Sequence, residues 1–310
     1  MRYEKNLLKS SFYFVFDMTV LFFLYLFYDH FNYFIWVNLT GFYMWCLFVI
    51  GHDCGHTTFS NYWLINDIVG HICHSIIQVP YYPWKLSHYQ HHLYHNNYKK
   101  DNSHEWKKKE EYTILDLLLV KLPFIEFIAF FLYLINGKDG SHFYPGQLFT
   151  TNEEKCKCVI SVACIVLFDL FLFKYVNLND ILWKYVFPWM VFNFWLYMVT
   201  YLQHHHDSTT VFDDNEWNFA KGAEQTIDRK YGFFIDELSH HITDGHVAHH
   251  LYFTQIPHYH LKDATKIIKE KLGDKYLYRD SRDFLLEFHR LKYKQWYLKN
   301  GNNNELTYAS

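Results

Sequence analysis

Four long apolar stretches constrain the fold of this chain more than any other feature. They lie at about 12–28, 31–50, 159–176 and 181–202. A helix needs roughly 20 apolar residues to cross a bilayer. Only Asp29 and His30 separate the first two stretches, and residues 177–180 join the second two. We therefore predict an all-α integral membrane fold, with four transmembrane helices in two hairpins and a single domain over residues 1–310.

The distribution of basic residues predicts the orientation of these helices. Three basic residues precede the first stretch and five lysines lie within 99–109, whereas both short turns lack Lys and Arg. Cytosolic loops carry the excess of Lys and Arg in membrane proteins. We expect both termini on the cytosolic side, with a cytosolic helical cap formed by 51–111 and 203–290.

A fifth apolar stretch, 112–135, complicates this topology. It contains four residues that are unfavourable at bilayer depth, namely Asp116, Lys121, Pro123 and Glu126. We interpret it as an interfacial or re-entrant helix, because a fifth span would separate the polar segments on either side of it. Within the predicted spans, Asp17, Asp169 and Asn193 should face the protein interior.

Three histidine clusters adjoin the apolar stretches. They are His52-Asp53-Cys54-Gly55-His56, His88-Tyr89-Gln90-His91-His92 and His246-Val247-Ala248-His249-His250. Residues three and four apart lie on one face of a helix, so each cluster presents its imidazoles in one direction. Eight convergent imidazoles exceed what one ion usually takes, which indicates two metals.

The remaining histidines are less decisive. His204 continues the last apolar helix and is a candidate ninth ligand, whereas His205 and His206 resemble a hydrated run at a helix end. A further group flanks the clusters and should support the ligands or lie on the surface. Its members are His95, His240 and His241. Ligating histidines usually donate their other N–H to a carboxylate or carbonyl, for which the candidate carboxylates are Asp53, Asp228 and Asp244.

The chemistry of the clusters favours a redox metal. Zinc is redox-inert and structural zinc usually recruits thiolates, yet the six cysteines form no Cys-x-x-Cys pair. No His-Glu-x-x-His motif is present for hydrolysis. The net charge of −3 and the lack of a basic stripe argue against nucleic acid binding. Iron or copper with oxygen, acting on a lipid, is the favoured interpretation.

The pattern His-x3-His, His-x2-His-His, His-x2-His-His resembles the membrane fatty acid desaturases. Longer strings resemble the Δ12 (ω6)/ω3 acyl-lipid branch of that family. They include His52 to Ser60, Val79 to His88, Thr200 to His204, Thr226 to Gly232, His241 to His250 and Pro257 to His260.

This resemblance implies a di-iron site that uses O2 and electrons from cytochrome b5 and its reductase, in an endoplasmic reticulum membrane with the active site on the cytosolic side. The implied reaction removes hydrogen from two adjacent methylenes of a membrane-phospholipid acyl chain, leaving a cis double bond and water. By residue match, the catalytic metal ligands are His52, His56, His88, His91, His92, His204, His246, His249 and His250.

The position of the double bond remains open at this point. The third box and the preceding Ile242-Thr243-Asp244 favour the Δ12 type, which converts oleoyl to linoleoyl chains. Gln255-Ile256-Pro257 looks more like ω3 enzymes. Fatty acyl hydroxylases and acetylenases share the same di-iron fold, and an inactive metal-binding membrane scaffold is the non-enzyme alternative.

Overall fold

The structure, a computed structural model, describes residues 3–101, 103, 107–294, 297–301 and 305–309. Helices account for most of these residues. In chain order they are α1 (Leu7–Leu26), α2 (Tyr33–Gly55), α3 (Trp63–Ile76), α4 (Tyr81–Tyr94), α5 (Ile114–Lys121), α6 (Ala129–Ile135), α7 (Asn152–Tyr175), α8 (Leu178–Asp180), α9 (Phe187–His204), α10 (Phe219–Ala223), α11 (Phe233–Leu238), α12 (His246–Leu251), α13 (Leu261–Leu272) and α14 (Phe284–Lys294).

Shorter elements connect these helices. Single 3₁₀ turns occur at Tyr28–His30, Lys109–Glu111, Ile125–Phe127, His258–His260 and Gly273–Lys275, and Ile181–Val186 is a π-helical segment. The strands are β1 (Thr210–Phe212), β2 (Asp228–Lys230), β3 (Tyr278–Asp280), β4 (Tyr297–Asn300) and β5 (Glu305–Ala309). These strands depart from the all-α expectation, so the described chain is mostly rather than wholly helical.

The described residues divide into two compact units. We call the first the apolar unit, and it comprises Glu4–Ser87 and Glu126–Tyr197. We call the second the histidine unit, and it comprises the described residues of Met1–Tyr3, His88–Ile125 and Met198–Ser310.

Three helices of the described residues, α1, α2 and α7, are long and apolar enough to cross a membrane. They correspond to three of the four predicted stretches. Helix α7 begins earlier than predicted because Thr151 Oγ1 accepts a hydrogen bond from Glu154 N at 3.2 Å and so caps it. The fourth stretch is helical from Ile181, but its Trp, Tyr and Asn residues reduce its hydropathy. The fourth span therefore stays a prediction.

Trp36 anchors the hairpin between α1 and α2 in the apolar unit. Its side chain is fully buried, and its indole Nε1 donates a hydrogen bond to Leu24 O at 2.7 Å. The ring centroids of Tyr25 and Tyr28 lie 5.4 Å and 4.8 Å from that of Trp36, both edge-on. The indole thus satisfies a polar group inside the hairpin while filling its core.

Polar residues within the apolar helices face the protein, as the sequence predicts. Asp17 and Asn193 are fully buried. Asp169 Oδ1 accepts a hydrogen bond from Gln78 Nε2 at 2.6 Å. Each polar group therefore lies against protein rather than lipid.

Residues 112–135 do not form one continuous helix. Helix α5 ends at Lys121, Pro123 follows, and Phe124 has a positive φ of 66°. Helix α5 has 8 residues, which at 1.5 Å per residue span only about 12 Å. Its side chains Ile114, Leu115 and Leu118 are exposed, and the interfacial position of this stretch stays a prediction.

The histidine unit has its own apolar core, which lies between α12 and α13. The buried residues of this core are Val247, Ala248, Ile256, Leu261, Ala264 and Ile268. The sequence predicts a helix over Lys262 to Leu272 that stops at Gly273, and α13 confirms it. Gly273 takes φ 51°, a conformation that favours glycine at the end of a helix.

We expect Trp36→Ala to destabilise the apolar unit by about 3–5 kcal/mol, because it removes a buried indole and its hydrogen bond. Thermal unfolding in detergent, followed by loss of the monodisperse peak, measures the effect. Phe34→Ala on the same helix is the matched control, because Phe34 is 74% exposed. Equal losses from the two substitutions would contradict the assigned role of Trp36.

Candidate metal centre

Three helices carry the predicted histidine ligands of the histidine unit. Helix α4 carries His88, His91 and His92, whereas His204 is the last residue of α9. Helix α12 consists of little more than the third cluster, His246 to Leu251. Its start requires glycine, because a Cβ on Gly245 would lie 2.8 Å from Leu261 Cβ and 2.9 Å from His241 O.

One group of imidazoles forms where α4 meets α12. The Nε2 atoms of His88 and His92 lie 3.1 Å apart, and those of His92 and His249 also lie 3.1 Å apart. The spacing of four between His88 and His92 puts both rings on one face of α4. Three imidazole nitrogens therefore point at one small volume, as a metal ion requires.

A second set of imidazoles surrounds His250. Ring nitrogens of His91, His95 and His250 lie within 4.8 Å of one another, and so do those of His204, His246 and His250. The Nε2 atoms of His204 and His246 are 3.2 Å apart. The structure therefore brings together seven of the nine predicted ligands in the histidine unit, and adds His95.

The donor set fits metal ions better than a hydrogen-bonded core. His250 is fully buried, and neither of its ring nitrogens has a hydrogen-bond partner among the described residues. Buried polar atoms are nearly always satisfied in native proteins. Burial and the neighbouring imidazoles hold the pKa of His250 well below its usual range. A neutral imidazole keeps a lone pair that a metal can accept.

His52 and His56 belong to the apolar unit. They lie at the end of α2, and their Nε2 atoms are 3.2 Å apart. Both side chains are buried. The first cluster therefore also presents a pair of imidazole nitrogens to one point, as its i,i+4 spacing predicts.

Asp101 orients His91, a role that the sequence did not reveal. Its Oδ1 accepts a hydrogen bond from His91 Nδ1 at 2.9 Å, and its Oδ2 lies 3.6 Å from His95 Nδ1. The carboxylate is fully buried. A carboxylate that holds Nδ1–H leaves Nε2 of His91 for a metal and fixes the ring plane. The i,i+4 spacing of His91 and His95 was the signal that could have identified His95.

Two of the three predicted carboxylates, Asp244 and Asp228, have partners other than a proposed ligand's ring. Asp244 accepts a hydrogen bond from Nδ1 of His241 at 2.9 Å. His241 is not one of the predicted metal ligands. Asp53 Oδ1 is 4.0 Å from His52 Nδ1, too far for a hydrogen bond. Asp228 accepts from Val247 N at 2.7 Å and from the Tyr276 hydroxyl at 2.5 Å. Burial raises the pKa of Asp228 to about 7.

Residues 227–229 tie two ligand-bearing helices together. Ile227 N donates to Gln203 O at 3.0 Å, next to His204. Asp228 holds the backbone N–H of Val247, next to His246, as described above. Arg229 Nε donates to Leu202 O at 2.5 Å. One short segment thus fixes the end of α9 and the start of α12, which sets the separation of His204 from His246.

Arg229 depends in turn on a buried ion pair. Its Nη1 lies 2.6 Å from Glu287 Oε2 and also donates to Ser281 Oγ at 3.0 Å. Arg229 is fully buried. Burial acts to raise the pKa of Glu287, but the Arg229 charge and the Ser281 hydrogen bond bring it below its usual value. The carboxylate is therefore ionised at neutral pH and balances the guanidinium.

The structure revises the expectations for the flanking histidines. His206 is buried, and its Nδ1 lies 2.8 Å from Ser208 Oγ, so the prediction of a hydrated run is wrong for it. The His205 ring stacks on Tyr201 with a centroid distance of 4.0 Å. His240 is buried, whereas His241 is partly exposed.

The chain is similar to several known proteins. A family model described as fatty acid desaturase matches residues 29–283. The Δ12 fatty acid desaturase fat-2 of Caenorhabditis elegans is 39% identical over 292 residues, which cover 87% of this chain and 76% of that protein. The omega-3 fatty acid desaturase fat-1 of the same organism is 39% identical over 315 residues, covering 96% and 78%. An acyl-lipid omega-3 desaturase (cytochrome b5) of the endoplasmic reticulum of Arabidopsis thaliana is 41% identical, covering 75% and 62%.

We expect Asp101→Asn to lower metal affinity and product formation about 10- to 100-fold, because His91 loses its charged partner while the side-chain shape is kept. Metal content of the purified protein and fatty acid analysis of the expressing cells measure the two effects. Asp214→Asn is the matched control, since Asp214 is an exposed acid bonded to Asn97 and Lys100. Unchanged metal content in Asp101→Asn would contradict the orienting role.

We expect Arg229→Met to destabilise the histidine unit by about 3–5 kcal/mol, because Glu287 is left as a half-buried charge without its partner. Adding Glu287→Leu should recover much of that loss, since the pair is then replaced by apolar side chains. Thermal unfolding of the single and double variants measures both effects. A double variant no more stable than Arg229→Met would contradict the ion-pair account.

Proposed function

Because the chain belongs to the fatty acid desaturase family, we propose that its clustered histidines hold two iron ions and that it introduces a Δ12 double bond into membrane-lipid acyl chains. The chain is an oxidoreductase that desaturates fatty acyl chains, as its family match and its relatives show. The Δ12 position, from oleoyl to linoleoyl, is supported by the third histidine box with its preceding Ile242-Thr243-Asp244. The similarity to fat-2 and fat-1 is equal, at 39%, so an ω3 specificity is the runner-up.

The observation that carries the proposal is the convergence of eight imidazoles in the histidine unit. All but His88 are buried, and each lies in a group of three whose ring nitrogens are within 4.8 Å of one another. His52 and His56 complete the proposed set, supported by the family pattern and by the approach of their own Nε2 atoms. The proposed ligands are His52, His56, His88, His91, His92, His204, His246, His249 and His250.

Iron bound there supplies the redox chemistry with O2 that an unactivated methylene requires. The overall change converts –CH2–CH2–, O2, two electrons and two protons into –CH=CH– and two waters. The chain's own residues keep the imidazoles in register. Asp101 fixes the His91 ring, and the segment 227–229 fixes the spacing of His204 and His246, while burial of the cluster limits the access of water.

We further propose the endoplasmic reticulum as the location and cytochrome b5 with its reductase as the electron source. The name of the Arabidopsis relative includes cytochrome b5 and the endoplasmic reticulum. A Vigna radiata relative is also named for the endoplasmic reticulum. The π-helical segment and α9 together supply the proposed fourth span. The lysines of 99–109 support a cytosolic position for both termini and the histidines.

Expression in yeast tests the proposed function. We expect a new diene formed from endogenous oleoyl chains, and its loss in His249→Ala, because the substitution removes a proposed ligand. His289→Ala is the matched control, since His289 is an exposed histidine on α14. Chromatography of fatty acid methyl esters with double-bond localisation measures the product.

Supplied linoleate separates the two specificities. A triene from linoleate without a diene from oleate would overturn the Δ12 assignment in favour of ω3. A hydroxy acid or an alkyne in place of an alkene would indicate a hydroxylase or acetylenase on the same fold. Folded, iron-loaded protein without any product would favour the inactive scaffold.

A further inference from the structure

Helix α3, in the apolar unit, carries its apolar side chains outward. Leu64, Ile68 and Ile72 follow one another at intervals of four and are 52%, 52% and 42% exposed. The opposite side of the helix holds Asn66 and His74, which are 2% and 0% exposed. A helix at a water-facing surface shows the reverse arrangement, with polar residues outside.

The outer face of α3 has no charged residue. One edge of this face is formed by further apolar side chains that are half-buried, namely Ile65, Val69 and Ile76. Asp67 lies to the side, 3.6 Å from Lys85 Nζ. A contiguous apolar face of this kind is unusual on a soluble surface and marks an interaction site.

Two side-chain hydrogen bonds align α3 with α7. His71 Nε2 lies 3.0 Å from Ser161 Oγ, and Gln78 Nε2 donates to Asp169 Oδ1 at 2.6 Å. The two segments run in the same direction between these contacts, from residue 71 to 78 and from residue 161 to 169. Asp169 lies about 25 Å along α7 from its start, at 1.5 Å per residue. The end of α3 is therefore level with the far part of a helix that is long and apolar enough to cross a membrane.

The exposed surface of α7 has the same chemical character. Leu167, Leu170 and Phe171 are 65%, 60% and 56% exposed. Since α3 lies alongside α7, a bilayer around α7 reaches α3 as well. The outer face of α3 continues a surface that is itself suited to lipid.

The turn after α3 meets the requirement for irregular backbone at membrane depth. Such backbone is tolerated there only where protein covers it and satisfies its polar groups. Ile77 and Val79 are 0% and 1% exposed. The Tyr185 hydroxyl donates to Ile76 O at 2.8 Å, and Trp189 Nε1 donates to Ile77 O at 3.0 Å.

We propose that α3 and the turn to Pro80 form a re-entrant segment within the bilayer, and that Leu64, Ile68 and Ile72 face the acyl chains of membrane lipids. This departs from the sequence-based expectation that all of 51–111 belongs to the cytosolic cap. The helix has 14 residues, too few to cross a bilayer. The proposal rests on α7 being a span, a premise that the label at Leu167 on α7 tests separately.

Spin labels on single cysteines of the full-length protein in phosphatidylcholine nanodiscs test the proposal. The labelled sites are Ile68→Cys and Ile72→Cys, in a background with the accessible Cys156 and Cys164 replaced by serine. Collision with O2, which concentrates in lipid, is compared with collision with a water-soluble nickel chelate. Leu167→Cys on α7 is the lipid control. Ile267→Cys is the water control, since Ile267 is 40% exposed on the amphipathic helix α13.

We expect the ratio of O2 to nickel collisions at both α3 sites to match that at Leu167 and to exceed that at Ile267 several-fold. A ratio at Ile72 equal to that at Ile267 would show water contact and overturn the proposal. Low collision rates with both reagents would mean that protein, such as a second copy of the chain, covers the face, and would overturn it too. An aqueous ratio at Leu167 refutes the premise that α7 is a span. Fatty acid analysis of each variant shows separately whether the enzyme is active.

Discussion

Imidazole nitrogens buried opposite one another are the constraint on which the histidine unit depends. Two neutral imidazoles can share one proton in a hydrogen bond, but His92 lies 3.1 Å from both His88 and His249 through the same Nε2 atom. One nitrogen cannot serve both neighbours as donor and acceptor at once. The arrangement is satisfied when a cation accepts the lone pairs, so the cluster suits a metal ion better than a packed core.

Such a cluster needs helix ends that do not move relative to one another. Helix α12 has 6 residues, too few to be stable without tertiary contacts. Its first turn is held by Asp228 through Val247 N, and the end of α9 is held by Arg229 through Leu202 O. The ion pair between Arg229 and Glu287 in turn holds the segment 227–229 in place. Ligand geometry is thereby determined by backbone hydrogen bonds rather than by the rotamers of the histidines alone.

The sequence predicted much of the site, and the reasons for its failures are physical. Local spacing revealed which imidazoles share a helix face, so the boxes were found without a structure. Asp101 was missed because its contact with His91 depends on a loop whose path no periodicity records. His95 was underestimated because it follows the end of α4, beyond the box motif. The π-helical segment before α9 escaped detection since it has the same apolar composition as the helix that continues it.

The sequence predicts the elements that are determined by the length of an apolar run. It does not predict the elements that are determined by tertiary packing. Helices α1, α2 and α7 follow from their runs of apolar residues, whereas α3 is short and its apolar face becomes visible only once its neighbours are in place. The small β-sheets were missed because strands of three to five residues leave no readable pattern. Tertiary contacts, rather than propensity, stabilise these elements.

The ring nitrogens of His250 have no hydrogen-bond partner among the described residues, which makes the stability of the chain depend on its proposed metal. A chain that folds without that metal buries polar atoms without partners, at a penalty of about 1–3 kcal/mol for each group. A ligand that binds only the folded state stabilises it by about 4 kcal/mol at a thousandfold excess over Kd. Loss of the proposed metal therefore lowers the free energy of unfolding of the chain.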